Sequence, residues 1–192
     1  MTGCKRREAF EILNAPASHT LLKHWEVPEF AFIERSGQTI KRDDLRGKIW
    51  VADFFYTSCP GPCPMMTSRL SALQEKLQGK ADVRLVSISL DPEKDTPEVL
   101  QRYAERFKAG PNWLFLTGDK QATYSLAEHG FKLAVADVRN SPEPITHSTK
   151  LVLVDREGWI RGFYEGVGGD QTAKLLNDIE RLVSGNEAQS GR

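Results

Sequence analysis

The chain has 192 residues, of which 26 are Lys or Arg and 26 are Asp or Glu, so its formal net charge at pH 7 is zero. Hydrophobic residues make up 40% and charged residues 27%, which is typical of one soluble globular domain. The balanced charge argues against a nucleic-acid-binding protein, which normally carries a basic excess. Three cysteines are too few for a disulfide scaffold. No apolar run reaches the about 18 residues that a membrane-spanning helix needs.

The first 26 residues differ from the rest, because they show no long periodic pattern. We predict that residues 1–26 form a mobile or loosely docked leader, that 27–184 form one folded domain and that 185–192 form a frayed tail. Thr2-Gly3-Cys4 is similar to the end of a bacterial lipoprotein processing site, in which Cys4 would carry the lipid. An ordinary chain start with an incidental thiol is the alternative, and both interpretations stay open.

The first predicted elements are a hairpin and a buried strand. Ser36-Gly37 separates the extended segments 31–34 and 38–41, which predicts an N-terminal β-hairpin. The run 49–56 (IWVADFFY) is mostly apolar and rich in aromatic and β-branched residues, so it predicts a central strand buried on both faces. A helix is predicted directly after the sequence CPGPCP, ending near Gly79.

Two more strands, 83–90 and 113–117, are each followed by a predicted helix. The first helix starts at Thr96 with Pro97 in its first turn. The second opens at Asp119 and stops before residue 131. Strands joined by crossover helices pair in parallel, so the sequence predicts a parallel centre for the sheet.

The last part of the chain changes pattern. A loop containing Pro142 and Pro144 precedes a hairpin formed by 151–155 and 159–165, which predicts an antiparallel edge. A closing helix runs to about residue 184. We therefore predict an α/β fold in which helices flank a mixed central sheet, with the N-terminal β-hairpin as an extension. The thioredoxin-like arrangement is one member of that class.

Cys59 and Cys63 lie directly after the predicted central strand, at the start of a helix. Sites collect at such strand ends in open α/β sheets, and a helix N-terminus favours the thiolate that binds metal or attacks a disulfide. With three residues between them, both sulfurs would share one face of a helical turn. Inert buried cysteines are the alternative, but the flanking Pro60, Pro62 and Pro64 make poor core filler.

A metal site would need a further ligand. The chain offers four histidines and a neighbouring methionine: His19, His24, His129, His147 and Met65. We expect the two leader histidines to be solvated, His129 to complement a helix C-terminus and Met65 to fill a gap in the core. On a thioredoxin-like fold, His147 would lie in a loop facing the turn that carries Cys59. From its position alone, a ligand role and a structural role both stay open for His147.

Cys59, Cys63 and His147 would together supply two sulfurs and one imidazole nitrogen. This soft set suits copper, particularly Cu(I), or zinc, and does not suit magnesium or calcium. A structural zinc site needs a fourth protein ligand. Three ligands with an open side instead suit a metal that the protein passes on, so copper is favoured. Redox chemistry is the alternative, although thioredoxin-type enzymes have two residues between their cysteines. A peroxiredoxin would have threonine where Tyr56 stands.

Three motifs follow one another along residues 27–183. They are Thr57-x-Cys59-Pro60-x-x-Cys63-Pro64, the segment 87–96 (SISLDPEKDT), and His147-Ser148 before the strand LVLVD. Together they resemble the Sco/SenC family of copper-binding proteins with a thioredoxin fold. We assign the part of the second motif from Asp91 to Thr96 to a turn and a helix cap, and leave it out of the site.

The resemblance implies a copper metallochaperone that assists assembly of the binuclear copper centre of cytochrome c oxidase subunit II. It implies that Cys59, Cys63 and His147 bind Cu(I), Cu(II) or both, and that subunit II or another copper acceptor protein is the partner. Family members are usually tethered by an N-terminal membrane helix or a lipid. The implied location is therefore the outer face of the bacterial cytoplasmic membrane, in the periplasm, with either a segment upstream or a lipid on Cys4 as anchor.

Two alternatives to copper delivery remain. The protein could be a thiol–disulfide oxidoreductase that uses Cys59 and Cys63 to reduce the cysteines of that copper centre, or a redox or copper sensor. Many family members have an acidic residue before the ligand histidine, where this chain has Thr146, and such neighbours tune metal affinity. Only the copper hypotheses strictly need His147, so replacing it with alanine separates them from thiol reduction.

Overall fold

The computed structural model describes residues 21–138, 141, 144–169 and 171–185. The strands of this part of the chain are β1 (Ala31–Glu34), β2 (Thr39–Lys41), β3 (Ile49–Phe55), β4 (Val83–Ser89), β5 (Trp113–Thr117), β6 (Val135–Asp137), β7 (Ile145–His147), β8 (Lys150–Val154) and β9 (Ile160–Glu165). The helices are α1 (Cys63–Lys76), α2 (Pro97–Arg106), α3 (Lys120–Ser125) and α4 (Thr172–Ser184). A 3₁₀ turn spans Arg42–Leu45, and a π turn, Leu126–Gly130, continues α3.

Seven of these strands form one mixed sheet in the order β2-β1-β5-β4-β3-β8-β9. β3, β4 and β5 are parallel because helices connect them. β8 pairs antiparallel with β3, and β9 with β8, at one edge. The β1–β2 hairpin pairs antiparallel with β5 and forms the other edge. The mixed sheet, its parallel centre and the N-terminal hairpin extension are confirmed.

The central strands are the middle of the hydrophobic core. All seven residues of β3 are buried, as are six of the seven residues of β4. A strand covered on both faces must be almost entirely apolar, and the charged residue of β3, Asp53, is the exception. Aromatic rings lock the layers together, since Phe55 lies edge-on to Phe115 at 5.8 Å and Phe54 edge-on to Phe131 at 5.3 Å.

The predicted loop around Pro142 and Pro144 is partly wrong. β6 and β7 form a separate two-stranded antiparallel sheet there, with Val135 opposite His147. Each strand has only three residues, and prolines interrupt the segment between them, so no hydrophobic period marks either strand in the sequence. Residues 139–140 and 142–143 lie outside the described residues.

The described end of the predicted leader lies against β9. His24 N–H donates to the carbonyl of Ile160 at 3.0 Å, and Glu26 bridges to Trp159. The buried guanidinium of Arg161 donates to the carbonyls of Leu21 and Leu22 at 2.8 and 3.1 Å. Cys4 and His19 lie outside the described residues. Within the described ranges, no helix is both long and apolar enough to cross a membrane.

Candidate metal centre

Cys59 and Cys63 lie at the junction of β3 and α1, as predicted. The N–H of Cys59 donates to the carbonyl of Tyr56 at 3.3 Å, which closes a turn just after β3. Pro62 has helical backbone angles, with φ −73°, so its ring is compatible with the start of α1 at Cys63. Both sulfur-bearing side chains point inward: Cys59 is 6% exposed and Cys63 is fully buried.

The two cysteines are free thiols in a partly desolvated environment. Burial raises the pKa of the Cys63 thiol, and a hydrogen bond with the Tyr56 backbone opposes this, while the neighbouring Cys59 thiol raises the pKa further. The lowering of the pKa expected from a helix N-terminus is therefore outweighed at Cys63. Metal binding here has to displace the thiol proton.

His147 reaches the cysteine pair from a separate element, the end of β7. Its Nε2 lies 3.2 Å from Cys63 Sγ, and its Nδ1 lies 2.9 Å from the carbonyl oxygen of Ser148. A carbonyl only accepts, so this contact places the proton of the neutral ring on Nδ1 and leaves Nε2 to coordinate. The Tyr56 ring packs edge-on against the imidazole at 5.9 Å.

The three side chains form one cluster. Sγ of Cys59, Sγ of Cys63 and a ring nitrogen of His147 all lie within 4.8 Å of one another. One ion with ligand bonds of about 2.0–2.3 Å nearly spans such a set, so little movement is needed to bind it. Two sulfurs and an imidazole nitrogen are a soft donor set, suited to copper or zinc.

Among the described residues, the other candidates do not join the cluster. His24 is exposed, as expected, and the exposed His129 lies in the last turn of the helical segment Leu126–Gly130. The expectation that Met65 fills a gap in the core is wrong, because its side chain is 53% exposed. The helical period of α1 instead turns Met66 inward, in line with Leu70.

One contact at the cysteine loop is absent from the sequence prediction. The fully buried carboxylate of Asp95 accepts hydrogen bonds from Thr57 N at 3.1 Å, Thr57 Oγ1 at 2.5 Å and Ser89 Oγ at 2.6 Å. The helix cap is provided by Thr96, whose hydroxyl accepts from Val99 N. Asp95 thus links the segment before α2 to the cysteine loop. The sequence signal for this contact is Asp95 itself, a carboxylate directly before Thr96, which caps the helix without it.

An open groove of about 670 Å³ lies next to His147. Apolar side chains, among them Trp25, Leu133 and Phe163, line much of it, and Lys132 and Lys150 also contribute. His147 is half-buried and forms part of the groove wall. The cluster can therefore be approached from the histidine side.

Comparison with known proteins gives a consistent result. Residues 19–184 match the family model described as SCO1/SenC. A SCO1 protein homolog of Bacillus subtilis is 32% identical over 160 residues, which cover 82% of each chain.

Solved structures show the same fold. A SCO1/SenC family lipoprotein from Bacillus anthracis superposes with a TM-score of 0.78 at 32% identity, over 83% of this chain and 95% of that one. BsSco, a cytochrome c oxidase assembly protein with a disulfide switch, gives 0.76 at 30% identity, over 87% and 98%. ScoI of Bradyrhizobium japonicum, solved with copper bound, gives 0.71 over 82% and 99%, and at 23% identity the likeness concerns the fold alone. The thioredoxin-like fold is confirmed.

Proposed function

The chain belongs to the SCO1/SenC family, and from this premise we propose that it binds copper through Cys59, Cys63 and His147. We further propose that it passes the copper on during assembly of the binuclear centre of cytochrome c oxidase subunit II. The observation that carries this proposal is the convergence of two sulfurs and one imidazole nitrogen within 4.8 Å. Sco proteins that share this fold have been solved with copper bound, and this shared fold supports the proposal.

In this function copper is cargo and the protein is its carrier. Cu(I) prefers soft ligands, so the thiolates of Cys59 and Cys63 hold it after losing their protons. Three protein ligands leave a side of the ion open to an acceptor's ligands. His147 is half-buried and stands on its own small sheet beside the groove. It is the ligand that an incoming thiolate or imidazole would replace first.

An anaerobic Cu(I) titration of the reduced protein tests the ligand set. We expect one tight equivalent in the natural chain, and a severely weakened one in Cys59→Ala, Cys63→Ala and His147→Ala. His24→Ala is the matched control, because His24 is an exposed histidine whose ring packs against Phe163, part of the same groove. Copper binding that does not respond to His147→Ala would contradict the three-ligand site.

A second candidate function is reduction of the acceptor's cysteines. It is favoured by the two free thiols of Cys59 and Cys63, whose sulfurs lie within 4.8 Å, and by the disulfide switch of BsSco. In this reaction an acceptor disulfide gains two electrons and two protons, while Cys59 and Cys63 lose them and form a disulfide. An oxidase-derived dicysteine peptide is the substrate to assay. Full peptide reduction by His147→Ala, together with loss of copper delivery, would separate this activity from transport.

We also propose that the folded domain, 27–184, works at the outer face of the bacterial cytoplasmic membrane. The lipoprotein nature of the Bacillus anthracis relative supports a lipid on Cys4 as the anchor. Membrane fractionation of cells that express the full natural chain, with and without Cys4→Ser, tests this. We expect the substitution to move the protein from the membrane to the soluble periplasmic fraction.

A further inference from the structure

Asp95 is a buried carboxylate that joins two loops at the candidate metal centre. It lies in the segment between β4 and α2, and its oxygens accept from Thr57 N, Thr57 Oγ1 and Ser89 Oγ. Ser89 Oγ in turn accepts from Asp91 N at 3.0 Å. Burying a carboxylate costs free energy unless several donors compensate it. Asp95 therefore depends on its bonds to Thr57 and Ser89, and these bonds fix the position of Thr57.

Thr57 lies two residues before Cys59, inside the turn that delivers this cysteine to the cluster. Both of its donors, the backbone N–H and the hydroxyl, are directed at Asp95. The same turn contains the bond from Cys59 N to the Tyr56 carbonyl. The position of the Thr57 backbone therefore helps to determine where the Cys59 sulfur lies.

The backbone of Cys63 is held by different contacts, although its thiol also hydrogen-bonds the Tyr56 backbone. It belongs to α1, and its carbonyl accepts from Thr67 Oγ1 at 2.9 Å, while Thr67 also hydrogen-bonds the Tyr103 hydroxyl at 2.9 Å. α2 likewise has its own cap at Thr96. Loss of the Asp95–Thr57 contact should therefore release Cys59 more than Cys63, whose backbone stays fixed in α1.

We propose that Asp95 is a positioning residue for Cys59: by holding Thr57, its carboxylate sets the distance between the two sulfurs of the cluster. The inference extends the proposed function, since both copper binding and disulfide formation require that distance. It concerns the metal-free thiols, however, and can be tested without copper.

The experiment measures alkylation of each cysteine in the reduced, metal-free protein, by quantifying the modified Cys59 and Cys63 peptides. We expect Asp95→Asn and Thr57→Val to raise the rate at Cys59 several-fold and to leave the rate at Cys63 nearly unchanged. Thr57→Ser keeps the hydroxyl and should retain the natural rates. If Asp95→Asn does not fold, Thr57→Val decides the test, because it removes only the side-chain bond.

Asp155→Asn is the matched control for general destabilisation. Asp155 is also a buried carboxylate, bonded to Arg161 and to the N–H of Trp159. It directly follows β8, whose Val154 pairs with Trp50 at the opposite end of β3 from the cysteines. We expect Asp155→Asn to leave the ratio of the two alkylation rates unchanged.

The outcomes distinguish this inference from the proposed function. Equal acceleration of both cysteines, or an unchanged Cys59 rate in both Asp95→Asn and Thr57→Val, would overturn the positioning role. In a parallel copper titration we expect Asp95→Asn to lower the Cu(I) affinity by about 10–100-fold, as for other partners that orient metal ligands. A selective Cys59 effect in a protein that binds no tight copper would support the inference and contradict copper transport.

Discussion

The two parts of the molecule that meet at the candidate metal centre are built differently. Cys59 and Cys63 follow β3, the fully buried central strand, and are themselves buried. His147 stands on the two-stranded β6–β7 sheet, outside the seven-stranded sheet, and is half-buried. The thiol pair is thus set by the core of the domain, whereas the histidine is set by a small accessory sheet. We call the buried thiol pair, Cys59 and Cys63, the firm side of the cluster and His147 its replaceable side. A protein that must hold an ion and then release it benefits from having both kinds of ligand.

The largest expected effect concerns the anchor of the histidine side. Phe131 precedes β6, is fully buried and lies edge-on to Trp50 at 6.0 Å and to Phe54 at 5.3 Å. We expect Phe131→Ala to lower the free energy of unfolding by about 3–5 kcal/mol, measured by urea denaturation. Val138→Ala, at an exposed position, should change it by less than about 0.5 kcal/mol. A loss below about 1 kcal/mol for Phe131→Ala would mean that β6 is not anchored through this ring.

The cysteine side contains a buried carboxylate that makes stability depend on pH. Asp53 is buried in β3, where Ser87 Oγ donates to its Oδ1 at 2.5 Å, and its Oδ2 has no hydrogen-bond partner within the described structure. Burial raises the pKa of Asp53 from 3.8 to about 7, and the Ser87 bond opposes that rise. Between these two values the native state binds more protons than the unfolded chain, so stability falls as pH rises.

We therefore expect this carboxyl to remove about 2–4 kcal/mol of stability as the pH rises from 4 to 8, given about 1.4 kcal/mol per unit of pKa shift. Asp53→Asn cannot titrate and should lose this part of the pH dependence, while its Oδ1 can still accept from Ser87. Urea denaturation of both proteins at pH 5 and pH 8 measures the difference. Equal pH dependence in the two proteins would contradict a raised pKa at Asp53.

The next prediction compares the two sides of the cluster directly. Loss of a thiolate by Cys63→Ala should weaken Cu(I) binding by more than about 100-fold, beyond the cost of losing a residue that merely orients a ligand. His147→Ala should weaken it by less than Cys63→Ala does, because two buried thiolates remain. Competition with a Cu(I) chelator gives both values. A greater loss for His147→Ala than for Cys63→Ala would reverse the assignment of the firm and replaceable sides.

The smallest effect is expected at the neighbour of Asp95. Thr96 caps α2 by accepting from Val99 N, and it makes no hydrogen bond to the cysteine loop among those described. Thr96→Ala should lower the free energy of unfolding by about 1 kcal/mol through loss of the cap. It should leave the alkylation rates of Cys59 and Cys63 unchanged, in contrast to Asp95→Asn. A selective change at Cys59 would show that the whole segment, rather than Asp95, positions the loop.

The sequence predicts the seven-stranded sheet better than the small β6–β7 sheet. β1 and β5 have the predicted bounds, because turn residues and apolar runs mark them clearly. The sequence predicts a loop where β6 and β7 lie, since three-residue strands have no measurable period and depend on pairing with each other. The helical period places Met66 in line with Leu70 on the inward face of α1, and the same period turns the adjacent Met65 outward, so the expectation of a core position for Met65 conflicts with that period.

The candidate site shows the same division. The sequence places Cys59 and Cys63 at a strand end by local pattern alone. His147 lies 84 residues from Cys63 along the chain, so its approach depends on tertiary structure. The thioredoxin-like fold makes it a candidate, and only the family resemblance implies that it is a ligand. Asp95 is absent from the predicted site because its partner, Thr57, lies 38 residues earlier in the sequence. Contacts between distant loops leave no periodic pattern of hydrophobic residues in the sequence.

In the proposed function, one copper ion is bound by both sides of the cluster at once. X-ray absorption spectroscopy of the reduced protein loaded with one equivalent of Cu(I) tests it most directly. We expect two sulfur ligands and one imidazole nitrogen, with the nitrogen lost in His147→Ala and both sulfurs retained. Copper bound by sulfur alone, with the same spectrum in the natural chain and in His147→Ala, would contradict it.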